Sequence, residues 1–194
     1  ENRIFGLRLK QTLGNTRTGG VRLQKSGTGT VLLTGTNSNS GGTDIFAGAI
    51  RVTDVAALGS GPVLVYSGAA LDLSIAGNAT LGVTASGGGR LRKSDVGDLT
   101  LTGNSRSGGL DIVGGRVIVH DVSSLGTGPV TTSADTQIVF DLNGPNSSNI
   151  AIGGAGALTK NGNGVLTIQN ANSHSGGTVI NAGRLDGYAV YFRA

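Results

Sequence analysis

Three landmarks recur along this chain at one spacing. Ser40-Gly41-Gly42 returns as Ser107-Gly108-Gly109 and as Ser175-Gly176-Gly177, in nearly equal steps of 67 and then 68. Leu58-Gly59-Ser60-Gly61-Pro62-Val63 returns one such step later as Leu125-Gly126-Thr127-Gly128-Pro129-Val130. Leu23, Leu91 and Leu158 keep the same step, and a lysine follows each by two positions: Lys25, Lys93 and Lys160. Independent landmarks held in register mark a repeat architecture, whose units bury their apolar faces only by stacking on one another.

Each unit consists of short β-branched runs such as Val31-Leu32-Leu33, Ile50-Arg51-Val52 and Val117-Ile118-Val119, punctuated by Gly, Asn, Ser and Asp. That is the pattern of short strands joined by tight turns. Strands this short need neighbours to bury a face. The unit divides into three coils, each long enough for one turn of a parallel β-helix with about 4.8 Å between coils. The expected fold is all-β, a right-handed parallel β-helix (solenoid) of about nine coils of roughly 20–24 residues. The 36 glycines among 194 residues become corner residues, because corners need positive φ. The expected divisions are a partial coil at 1–20, repeats at 21–87 and 88–154, a partial repeat at 155–185 and a divergent C-terminal strand or cap at 186–194. All belong to one β-helical domain.

Other classes are excluded by what is missing. There is no Cys, Met or Trp, hence no disulfide framework or thiolate metal site. The lack of Met predicts a processed product or an excised fragment. No apolar run approaches the roughly 20 residues of a membrane helix. The Asp residues are spread out. Asp54 and Asp121 precede equivalent turns and are expected to cap them. No Gly-x-Ser-x-Gly elbow occurs, and the two histidines, His120 and His174, fall at variable positions of the repeat. The chain is therefore expected to be no enzyme and to need no cofactor or metal.

The stretch Leu23-Gln24-Lys25-Ser26-Gly27-Thr28-Gly29-Thr30-Val31-Leu32-Leu33, then Ser40-Gly41-Gly42-Thr43, closely resembles the autotransporter-associated β-strand repeat, the passenger-associated repeat of Gram-negative type V secretion. The copy at 158–185 matches that family well. Departures are Asn39, Arg106 and His174 where the family has an aromatic before Ser-Gly-Gly, and Leu110 where it has Thr. The resemblance implies a β-helical passenger at the cell surface or secreted, exported through the periplasm and passed through an outer-membrane barrel absent from this sequence. Lack of Cys suits that route. It further implies an adhesin or structural scaffold in attachment to host cells or other bacteria. The alternatives are a non-binding stalk and, more distantly, a polysaccharide-active β-helix enzyme.

Two surface features are candidate binding sites. The net charge is +4, and Arg22, Lys25, Arg90, Arg92, Lys93 and Lys160 gather on the first strand of each repeat. If a repeat is three coils, the lysines stand in a row, read either as a solvated face that keeps edges soluble or as a stripe that binds an anionic glycan. The polar loops contribute Asn37, Asn39, Asn104, Arg106, Asn172 and His174, read either as plain turns between strands or as contacts for a sugar or a host-cell surface protein. Nucleic acid is not expected, since aromatic residues are not interleaved with the basic ones. Self-association through open solenoid ends is a further expectation, and the aromatic tail Tyr188–Ala194 is a cap, such an edge, or sequence foreign to the parent.

Overall fold

The computed structural model describes residues 2–4, 11–13, 18–106 and 108–187. The tail at 188–194 and most of the partial coil at 1–20 lie outside the described residues. The protein is an all-β parallel solenoid of about eight turns with nearly no helix. All strand pairs among the described residues are parallel and join one coil to the next.

Three faces run along the axis. The first stacks Asn2–Ile4, Leu23–Lys25, Thr43–Ile45, Val63–Val65, Ala85–Gly87 and Asn104–Arg106. A 3₁₀ turn, Val122–Leu125, then interrupts it, and Asn146–Ser148, Val165–Ile168 and Arg184–Gly187 resume it. The second face is an uninterrupted ladder of nine strands, from Gln11–Leu13 to Ser173–His174. The third begins with Thr18–Gly19 and Ser38–Asn39, is interrupted by the 3₁₀ turn Val55–Leu58, and continues from Ala79–Leu81 to Thr178–Ile180.

Coil length is set by this register. The sequence offset between partners on neighbouring coils runs from 18 (Asp98 and Arg116) to 22 (Val63 and Ala85). Three coils of this length fall short of one repeat. Leu23 climbs through Thr43 and Val63 to Ala85 in three coils. Its repeat equivalent, Leu91, lies beyond Ala85, in Arg90–Ser94 of the second face. Leu91 climbs through Leu110 and Val130 to Ile152, and Leu158 again lies beyond that point, on the third face. One repeat spans three and a third coils. Each sequence motif therefore returns one face further round the solenoid.

The interior is aliphatic. Ile45, Ile50, Leu71, Leu91, Leu110, Val117, Ile138 and Leu158 are each 0% exposed. Each such side chain stabilises the coil stack by roughly 1.5–3 kcal/mol. The 3₁₀ turns join this core through Leu58 and Leu125, both fully buried. Asp54 and Asp121 cap those turns, accepting the amides of Ala56 at 2.9 Å and Ser123 at 2.8 Å, as the sequence leads one to expect. Some glycines are required by proximity: a Cβ on Gly97 would lie 1.9 Å from the carbonyl oxygen of Gly77 on the preceding coil.

Candidate functional site

Alternation along a strand puts Leu and Lys of Leu-x-Lys on one side. That side is the interior. Lys25 is 2% exposed, and Lys93 and Lys160 are 0% exposed. Lys93 stacks between Leu73 and Ile112, and Lys160 between Phe140 and Ile180. Their stems complete apolar columns, and their ammonium groups end among corner carbonyls. Lys25 Nζ donates to the carbonyls of Ser26 (3.0 Å), Gly27 (2.7 Å) and Ala47 (3.0 Å). Lys93 Nζ donates to Ser94 (3.0 Å), Asp95 (2.8 Å) and Gly114 (3.2 Å), with Ile75 at 3.4 Å. Lys160 Nζ donates to Asn161, to Gly162 (2.8 Å) and to Ala182 (3.5 Å). Each ammonium thus reaches two carbonyls of its own corner and one of the corner a coil further on, using all three of its donors. Burial pushes all three pKa values below the ordinary lysine value. Around Lys93, Asp95, Asp98 and Asp72 oppose that shift.

These positions correct the solvated lysine stripe. The lysines are interior groups, because they share the parity of the core leucines. They form no row either, since the three and a third coils per repeat place them on three different faces.

The arginines are held in cross-coil pairs. Arg22 Nε donates to Asp44 Oδ2 at 2.8 Å, and Arg90 Nε donates to Asp111 Oδ2 at 2.6 Å, with a second bond to Oδ1. The hydrogen bond to Asp111 raises the Arg90 pKa against the opposing effect of burial. Arg92 is half-buried, facing Asp72 on one side and Asp111 on the other. On the second face the outward column therefore alternates in sign: Arg51, Asp72, Arg92, Asp111. The repeats substitute such pairs together. Arg22–Asp44 and Arg90–Asp111 become Ala157 and Val179 in the third copy. Arg51–Asp72, bonded at 2.8 Å, becomes Ile118 opposite Val139 in the second. Cross-coil bonds hold Arg22, Arg51 and Arg90, and Arg92 stands in register between Asp72 and Asp111.

The polar loops are largely structural too. Asn37 donates through Nδ2 to the Ala57 carbonyl at 2.6 Å. Asn39 is buried and its carbonyl accepts the Ser60 amide at 3.0 Å. Both tie the 3₁₀ turn to the coil beneath it. Asn172 Oδ1 accepts the Ile152 amide at 2.8 Å. His174 Nε2 lies 2.9 Å from Thr178 Oγ1, and burial lowers its pKa. The side chains of Asn104 and Arg106 lie outside the described residues.

What remains outward-facing was not singled out by the sequence. Beside the turn Val122–Leu125 lies a groove of about 330 Å³ lined by residues such as Val122, Thr127, Ser147, Asn149 and Ile150. The equivalent groove beside Val55–Leu58 is about 190 Å³, lined by residues such as Val55, Thr80, Gly82 and Val83. They arise where a 3₁₀ turn replaces a strand. On the first face, Phe46 and Tyr66 stack with ring centroids 4.6 Å apart, both partly exposed. Their signal in the sequence is a departure from the repeat, since the equivalents are Val113 and Ser133. Among the described residues no group of three or more His, Cys, Asp or Glu converges to hold a metal ion.

A parallel solenoid built from a transport-type repeat, with its polar groups spent on coil-to-coil contacts, defines a passenger-type scaffold. The passenger-associated-transport-repeat family matches at residues 23–52, 91–119 and 158–186. The chain is also 33% identical over 165 residues, 84% of its length, to the adhesin BmaC autotransporter of Brucella suis biovar 1 (strain 1330). It spans 4% of that relative's own length. No solved structure matches. The chain is an autotransporter passenger segment carrying passenger-associated transport repeats. As such it lies at the cell surface or is secreted by a Gram-negative bacterium.

Three expected outcomes follow from the corner lysines and the pairs. Lys93→Met keeps most of the stem but leaves its carbonyl acceptors without a donor, and costs about 1–3 kcal/mol in urea unfolding. Because the folded pKa of Lys93 lies below its ordinary value, the unfolded chain holds that proton more tightly. The wild type therefore gains stability as pH rises from the folded value to 10.5, and Lys93→Met loses the Lys93 part of that gain. For the pair, Asp111→Val alone destabilises, whereas Arg90→Ala combined with Asp111→Val recovers about 0.5–1 kcal/mol of coupling. A double-mutant cycle by thermal or urea unfolding measures it.

Proposed function

We propose that the segment is an adhesive scaffold: a rigid part of a longer surface passenger that takes part in attachment to host cells or to other bacteria. The observation that carries this reading is the similarity to an adhesin across 84% of the chain. The geometry supports it, since the lysines and four Arg–Asp pairs serve the coil stack while grooves and an aromatic pair stay open at the surface. A host-cell surface protein or glycan is the expected partner. Chemistry on a substrate is not part of this reading, which rests on the similarity to an adhesin.

A non-binding stalk is the second reading, favoured by the concerted replacement of Arg–Asp pairs with apolar ones between repeats. Such exchange preserves the scaffold and carries no recognition. Beads coated with the segment separate the two. The adhesive reading predicts attachment to cultured host cells, or clustering with bacteria, several-fold above beads carrying an inert protein. Attachment equal to the inert control contradicts it and leaves the stalk.

A further inference from the structure

Phe46 and Tyr66 are 39% and 41% exposed as residues, and their rings stack with planes 29° apart. Their 4.6 Å separation matches the spacing of neighbouring coils, so the stack runs along the solenoid axis. The scaffold does not need it. One repeat later, Val113 and Ser133 occupy these positions in an equivalent coil path. Beyond Tyr66 the next coil turns its corner on Gly87-Gly88-Gly89, which offers no side chain. The backbone there is pressed close: a Cβ on Gly89 would lie 2.5 Å from the Tyr66 carbonyl oxygen, while Gly88 is exposed. The far face of Tyr66 therefore borders a shelf about one coil high.

The rim of this shelf is polar. Arg90 follows the glycine corner directly and is bonded through Nε to Asp111 at 2.6 Å, with 42% of its side chain exposed. Ser86, opposite Leu64 in register, flanks the corner on the other side. We propose that the shelf binds one pyranose ring of a surface glycan, stacked on Tyr66, with Arg90, Asp111 and Ser86 bonding its hydroxyls. A pyranose presents a C–H face to an aromatic ring and donor–acceptor hydroxyls at its edge, which is the pattern displayed here. A wholly apolar partner would cover Arg90 and Asp111 without compensation. A polyanion would meet Asp111 beside Arg90. The site rests on the adhesive reading and names its ligand class.

Saturation-transfer NMR tests it with the methyl glycosides of glucose, galactose and mannose, N-acetylglucosamine and N-acetylneuraminic acid. At least one of these sugars receives saturation from the folded segment. Tyr66→Ala, which removes the platform, and Gly88→Leu, which fills the shelf, each weaken its binding about tenfold, while Tyr66→Phe stays within about threefold. Circular dichroism checks that the variants keep the β-solenoid. No signal from any of the five sugars, or binding unchanged in Tyr66→Ala, overturns the site. Bead attachment measured on the same variants keeps the two readings apart. Attachment that persists in Tyr66→Ala without a sugar signal overturns the shelf and leaves the adhesin. Tyr66-dependent sugar binding without attachment upholds the shelf and overturns the adhesin.

Discussion

The structure depends on one constraint: backbone groups of each coil must find partners on the coils above and below. Strands meet it by continuous parallel pairing at about 4.8 Å. Corners cannot, because there the chain turns and its carbonyls converge. The lysine of Leu-x-Lys resolves the conflict. Its stem packs in the aliphatic column, and its ammonium gathers carbonyls from two successive corners. A buried cation without a bonded carboxylate is costly. Here three or four carbonyl dipoles offset that cost, and the group fastens one coil to the next.

The second consequence is rotational. The repeat length is not a whole multiple of the coil length, so the fixed motif visits each face in turn. The interrupting 3₁₀ turn moves with it, from the third face in the first repeat to the first face in the second. The second face is left as a ladder of nine strands. No partner can read the repeat motif along a straight line on this molecule. A ligand must engage either one local feature or several faces at once. The aromatic shelf at Tyr66 is of the first kind.

The fold was legible in the sequence because three landmarks shared one spacing and because strand and turn residues alternated on a short scale. The caps at Asp54 and Asp121 were legible for the same reason, each standing before an equivalent turn. The surface was less so. Lys25, Lys93 and Lys160 look like solvated charges by residue type, yet their two-position offset from core leucines already placed them inward. Arg22 and Arg90 could be matched to Asp44 and Asp111 only once the offset between coils, 22 for the first pair and 21 for the second, was known. The shared loss of both partners at Ala157 and Val179 was then visible. Phe46 and Tyr66 lie in different parts of the repeat, and only the coil register shows that they touch.

A repeat of three and a third coils fixes which residues stack, and engineered disulfides read that register. The chain has no cysteine of its own, so only introduced pairs can bridge. Ala70 and Arg90 are register partners on neighbouring coils, and Arg92 lies two positions further along the same strand. Air oxidation is predicted to link Ala70→Cys with Arg90→Cys, because directly opposed parallel positions fall within disulfide reach. It is predicted to leave Ala70→Cys with Arg92→Cys unlinked. Bridging of the second pair in place of the first would contradict this register and, with it, the stacking of the repeats.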